Sequence, residues 1–152
     1  MEVSEIRQFR KSLRKFERLD KLLNDRCCQD ITVAQCHVLL EIEGKENVTT
    51  VQLVKELKLD KSTLSRTVDE LVQKGLVERL PHPSDRRFTP LQLTESGIQK
   101  SVELHRENDG YYTRIFQRIP KEKQKEILDG FQILVDAVND YYEDDDRNDF
   151  SC

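Results

Sequence analysis

The sequence predicts a mainly helical fold carrying one small β-hairpin, and three observations carry that prediction. Apolar residues recur at three- and four-residue steps near both ends of the chain, as on one face of a helix. Two capping boxes, Thr32-Val33-Ala34-Gln35 and Thr49-Thr50-Val51-Gln52, open shorter helices between them. Two short alternating runs, Leu76-Val77-Glu78-Arg79-Leu80 and Leu91-Gln92-Leu93, flank a loop broken by Pro81, Pro83 and Pro90.

Each element follows in order. A first helix is predicted from Ser4 to about Arg26, where Ile6, Phe9, Leu13, Phe16, Leu19, Leu22 and Leu23 share a stripe. The box at Thr32 opens a second helix that buries Val33, Val38, Leu39 and Ile42 and ends near Gly44. The box at Thr49 opens a third helix through Leu57, and Leu59-Asp60 turns the chain. Asp60 caps a fourth helix from Lys61 to Lys74, stopped by Gly75. Leu64, Val68, Leu71 and Val72 face the core there, with Ser62, Ser65, Arg66 and Asp69 opposite. In the hairpin, Pro90 removes a ladder donor from the returning strand. A long helix is predicted from about Glu95 to Arg118, interrupted at Gly110. Pro120 starts the last helix, with Ile127, Phe131, Leu134, Val135, Val138, Tyr141 and Tyr142 on one face.

Length and composition bound the reading. At 152 residues the chain can build one domain with its own core. It has no internal repeat and no Gly/Ser linker, so residues 1–152 are read as a single domain. No run of ~18 apolar residues occurs, which argues against a membrane span. The start, MEVSEIRQFRKSLRKF, is charged and lacks the apolar segment of a secretory signal, so the expected address is the cytoplasm. Four cysteines without framework-like spacing fit reduced thiols. The net charge of −4 is unevenly placed: from Asp140 to Cys152 six acids face one base, which leaves residues 1–139 at +1. Local basic placement, not the overall charge, decides whether phosphate can be approached.

Helix, turn, helix, strand, basic loop and strand, taken in that order, describe a winged helix-turn-helix, with residues 31–97 as the winged unit. Such a unit lays one helix in a DNA groove and a basic finger beside it. The grooved helix needs short polar groups in its first turn, and Lys61, Ser62, Thr63, Ser65 and Arg66 supply them. Arg66 reaches a guanine edge or a phosphate, and Thr50 a backbone phosphate. In the loop, Arg86 and Arg87 follow Asp85, and a guanidinium on a loop tip suits the negative potential of a narrow minor groove. His82 is read as a solvated loop residue. The bland alternative is that these groups form an ordinary solvated face.

The stretch LKLDKSTLSRTVDELVQKGLVERLPHPSDRRFTPLQLTESG resembles the MarR family of winged-helix transcription regulators. The likeness rests on Ser62 through Arg66, Lys74-Gly75-Leu76-Val77, the Asp85-Arg86-Arg87 wing and the Leu93-Thr94-x-x-Gly97 exit. The resemblance implies a homodimer of triangular outline, a pseudo-palindromic double-stranded operator, repression and control by a small effector. It places the groove-seeking arginine at Arg87, with Asp85 as the carboxylate that holds it. Residues 1–30 and 98–143 are then dimerisation helices and 144–152 an acidic tail. The alternative is that the two long apolar stripes pack on each other within one chain.

Cys27, Cys28, Cys36 and His37, with His105 and Asp109 four apart on one helix face, raise the question of a sensor. Thiolates and imidazoles suit Zn(II) or another thiophilic metal. Thr32-x-x-Gln35-Cys36-His37 with His105 is similar to the zinc-sensing branch of the family, departing from it in the Asp at position 109 and the spacing before Thr32. An oxidant acting on the thiols is a second reading. Plain packing of Cys36, helix capping by Cys27 and Cys28 and a local hydrogen bond of His37 are the third. No cofactor is required by any of them, and Cys152 on the tail is read as a bystander. An enzyme is not expected: adjacent Cys36 and His37 point about 100° apart on a helix, and no phosphate loop or carboxylate pair is present. A winged helix that binds protein instead of DNA is the remaining alternative, with the acidic tail and low charge in its support.

Overall fold

Six helices and two strands follow one another as α1 (Val3–Cys27), α2 (Val33–Ile42), α3 (Thr50–Leu57), α4 (Lys61–Gln73), β1 (Val77–Arg79), β2 (Leu91–Leu93), α5 (Glu95–Phe116) and α6 (Lys121–Asp145). This computed structural model describes residues 2–27, 30–81 and 89–145, without the side chains of 23–27, 144 and 145. Contacts divide the chain into two compact units, residues 1–108 and 109–152.

The boundaries in the first unit follow from capping chemistry. Thr32 and Thr49 each accept the backbone N–H of the glutamine three residues on, and that glutamine reaches back to the threonine N–H. Both boxes satisfy donors that a helix start otherwise leaves open. Asp60 caps α4 through Thr63 N–H, and Lys58 makes the turn before it in the left-handed region, φ 51°. Gly75, φ 68°, ends the segment after α4 at a conformation that most side chains resist.

Val38, Leu39 and Ile42 of α2, Leu53 of α3, Leu64, Val68 and Leu71 of α4, Val77, Leu91 and Leu104 of α5 are buried together. They form the core under the helix-turn-helix. Val33, expected in that core, is only half-buried, while Gln35 and Cys36 are buried. The box places Val33 at the first helical position, and the next turn supplies the inward face.

β1 and β2 pair antiparallel in the register Val77↔Leu93 and Arg79↔Leu91. The ladder stops where Pro90 lacks a donor, and its carbonyl still accepts Leu80 N–H at 2.8 Å. Val48 adds an isolated bridge on the far side, its carbonyl accepting Leu91 N–H at 2.7 Å. Thr94 then caps α5: its Oγ1 accepts Gly97 N–H at 3.0 Å and donates to the Gly75 carbonyl at 2.6 Å.

α5 is continuous through Gly110, where an interruption was expected, and ends at Phe116 instead of Arg118. Glycine weakens a helix by about 1 kcal/mol relative to alanine but removes no hydrogen bond, so it need not break one. In the second unit, the Gln124 amide donates to the carbonyls of Phe116 at 3.0 Å and Ile119 at 3.1 Å, tying α6 back to the end of α5. α6 leaves Ile127, Phe131, Val135, Val138, Tyr141 and Tyr142 exposed. α1, in the first unit, leaves Ile6, Phe9, Leu13, Phe16, Leu19 and Leu22 exposed. Large apolar side chains in such numbers on solvent are unusual for a surface meant to stay bare.

Candidate nucleic-acid interface

The outer face of α4 follows from its inner one. With Leu64, Thr67, Val68 and Leu71 buried, Lys61, Ser62, Ser65 and Arg66 are exposed and Thr63 is half-buried. Thr67 stays satisfied inside by donating to the Thr63 carbonyl at 2.9 Å. Thr50, Val51 and Val54 of α3 and Lys61, Leu64 and Ser65 of α4 line a small open cleft of about 140 Å³. The structure thus brings Thr50 beside the polar first turn of α4.

Asp60 organises that first turn. Its Oδ1 accepts Thr63 N–H at 2.8 Å and the Ser62 hydroxyl at 2.5 Å, and its Oδ2 accepts the Thr63 hydroxyl at 2.5 Å. The Ser62 hydroxyl first, then Thr63, hold the Asp60 carboxyl well below the usual carboxylate range. Sequence reading found the cap but not the two hydroxyl bonds, although an Asp-x-Ser-Thr spacing allows both.

The hairpin is anchored to α4 from outside. Arg79 of β1 pairs with Asp69 at 2.8 Å, and Gln92 bonds its cross-strand neighbour Glu78 at 2.5 Å. The wing tip, with His82, Asp85, Arg86 and Arg87, lies outside the described residues.

The residues raised as a sensor do not share one site among the described side chains. Cys36 is buried in the core, 5% exposed. His37 points to solvent one position on. His105 on α5 pairs with Glu43 at the end of α2, at 2.5 Å. Asp109 belongs to the second unit, where it lines an open cleft of about 520 Å³ with Tyr112 and Phe116. Cys28 and the side chain of Cys27 lie outside the described residues. Among the described residues no three His, Cys, Asp or Glu side chains are grouped to hold a metal ion.

The His105–Glu43 pair was not foreseen, since nothing local links positions 62 apart. The Ser101 hydroxyl, buried one turn before His105, lies toward the same carboxylate but forms no hydrogen bond of ordinary geometry with it. Ser101 first and His105 second lower the Glu43 pKa from its ordinary 4.5. On the opposite edge of α5, Lys100 bonds Glu103 at 2.9 Å and Asp30 at 3.5 Å, and both raise its pKa, Glu103 the more.

A helix-turn-helix with a paired wing, closed by a capped exit into a long helix, defines the class as a winged helix-turn-helix. Residues 29–87 match the MarR family. Over 90 residues the chain is 41% identical to the multiple antibiotic resistance protein MarR of Escherichia coli K12, covering 59% of this chain and 62% of that protein. The chain therefore spans under two thirds of that relative's length. The fold extends further than the sequence likeness. A Staphylococcus aureus MarR in complex with salicylate and kanamycin superposes with a TM-score of 0.82 at 15% identity, covering 91% of this chain and 95% of that one. Streptococcus pneumoniae FabT in complex with DNA superposes with a TM-score of 0.74 at 22% identity, covering 92% and 99%. Other relatives are named HTH-type transcriptional regulators, in keeping with the expectation that the chain is not an enzyme.

Proposed function

We propose that this chain is a sequence-specific transcription regulator that binds double-stranded DNA as a homodimer and represses. The observation that carries the reading is the first turn of α4, where Lys61, Ser62, Ser65 and Arg66 stand exposed above a buried apolar face. Polar and basic groups at the start of the second helix of this motif meet base edges and phosphates in the major groove. The match of residues 29–87 to the MarR family supports the same role, as does a fold neighbour held in complex with DNA.

In this reading Thr50 and Lys61 hold phosphate, Arg66 meets a base edge or phosphate, and Arg86 and Arg87 reach the flanking minor groove with Asp85 holding Arg87. The exposed stripes of α1 and α6 pair with a second copy, so the operator is pseudo-palindromic with half-sites about one helical turn apart. Among the described residues no helix is long and apolar enough to cross a membrane, and a regulator that meets DNA in this way works in the cytoplasm. A small molecule controls affinity, a reading supported by the salicylate-bound neighbour. Control requires that the effector bind two dimer shapes unequally.

Fluorescence anisotropy on DNA from upstream of the chain's own gene tests the function, at two salt concentrations and against scrambled DNA. Binding that exceeds the scrambled control and weakens with salt is expected. Absent or sequence-blind binding would overturn it in favour of a protein-binding winged helix. Arg87→Glu separates those two: it abolishes DNA binding while leaving a protein partner in place.

A further inference from the structure

The first turn of α4 carries two hydroxyls whose protons are already committed. A hydroxyl has one donor and two acceptor lone pairs. Ser62 Oγ gives its proton to Asp60 Oδ1 at 2.5 Å, and Thr63 Oγ1 gives its proton to Asp60 Oδ2 at 2.5 Å. Bonds to an ionised carboxylate are the strong kind and are not readily surrendered. A phosphate oxygen offers only lone pairs, so it gains nothing from hydroxyls arranged this way and is repelled by the Asp60 charge. Base edges differ. Adenine N6 and cytosine N4 present N–H donors in the major groove, while guanine O6 and N7 and thymine O4 present acceptors.

We propose that Asp60 is a specificity-determining residue: by taking the protons of Ser62 and Thr63 it fixes both as acceptors, and the first turn of α4 thereby selects adenine or cytosine over guanine or thymine. The proposal rests on the DNA-binding reading above. Asp60 acts through the two hydroxyls and is a positioning residue. It also divides labour within the interface: Thr50, Lys61 and the wing arginines are left to hold phosphate or groove, and this turn is left to read.

Selection from fully randomised duplexes, followed by sequencing of the bound fraction, tests the assignment on the whole chain. The wild type is expected to prefer A or C at one or more positions in each half-site, by roughly tenfold over G or T. Ser62→Ala should erase that preference at one such position. Asp60→Gly should erase it at the same position, because glycine is tolerated at a helix cap but offers neither hydroxyl an oxygen. Binding to scrambled DNA should persist in Asp60→Gly, which a mere loss of folding would not allow. If that variant proves unfolded by circular dichroism, Asp60→Asn takes its place: its oxygen still holds Thr63 N–H and Ser62 but its amide turns a donor to the Thr63 hydroxyl, so the preference set by Thr63 is the one it should erase. Preferences unchanged by the Asp60 variant, or a wild-type preference for G or T where Ser62→Ala acts, overturn the assignment alone. A wild type without any base preference overturns it together with the regulator reading.

Discussion

Gln35 on α2 donates to Glu70 on α4 at 2.7 Å while its own carbonyl oxygen accepts Thr32 N–H at 3.2 Å. One side chain, 3% exposed, thus closes a capping box and braces the helix proposed to read DNA. Gln35→Ala removes both bonds and leaves a void beside Cys36. A cap contributes about 1 kcal/mol and a hydrogen bond to a charged group about 1.5–3 kcal/mol. Glu70 is only half-buried and regains water, so a net loss of roughly 2 kcal/mol is expected, read as a lower urea midpoint at unchanged slope. A loss below a few tenths would show that the brace is incidental.

Glu43 offers a test by pH. Its carboxyl titrates below the ordinary 4.5 because the Ser101 hydroxyl and then His105 favour the ionised form. A folded-state pKa below the unfolded one contributes stability that is full above 4.5 and fades as pH falls through the lowered value. Glu43→Gln removes that titration. The stability gap between wild type and variant should therefore be widest near neutrality and close under acid. A gap independent of pH would show that the carboxylate charge contributes nothing to the joint between α2 and α5.

These two relationships mark where the sequence stopped being legible. Thr32-x-x-Gln35, Thr49-x-x-Gln52 and Asp60 announced three helix starts because a cap is decided within four residues. The strands Val77-Glu78-Arg79 and Leu91-Gln92-Leu93 were foreshadowed by alternation, but their register was not. Gln35 with Glu70 and Glu43 with His105 join positions 35 and 62 apart, and no local pattern encodes such a pairing. Val48 escaped notice for the same reason: a single bridge to Leu91 needs one residue and leaves no period. Gly110 misled in the other direction, since a low intrinsic propensity was outweighed by a long helix on either side of it.

The helical glycines separate into two kinds. A Cβ on Gly97 would lie 2.0 Å from the Leu76 carbonyl oxygen and 3.3 Å from Leu93 Cβ. That carbonyl already accepts Thr94 N–H at 3.1 Å, so moving it opens the exit from the hairpin. Gly97→Ala should cost roughly 3 kcal/mol, with a correspondingly lower Tm. A Cβ on Gly110 meets nothing within 4 Å, and the helix there is regular. Gly110→Ala should instead stabilise by about 0.5–1 kcal/mol. Equal effects of the two changes would contradict the close approach of α5 to Leu76.

The apolar stripe of α1 predicts the state of assembly. Phe9 and Phe16 are seven residues apart, on one face, and are 45% and 51% exposed. Each buried aromatic of this size contributes about 1.5–3 kcal/mol relative to solvent. If a second copy covers them, Phe9→Asp with Phe16→Asp places two charges in the seam. Sedimentation equilibrium should then report a mass near that of one chain where the wild type reports two. Anisotropy should show specific DNA affinity falling by at least tenfold, because the half-sites are no longer read by one body. Binding to scrambled DNA should fall far less, since the first turn of α4 is untouched. A variant that still sediments as two chains would move the seam off α1, leaving the Phe131 and Val138 stripe of α6 as the surface to substitute next.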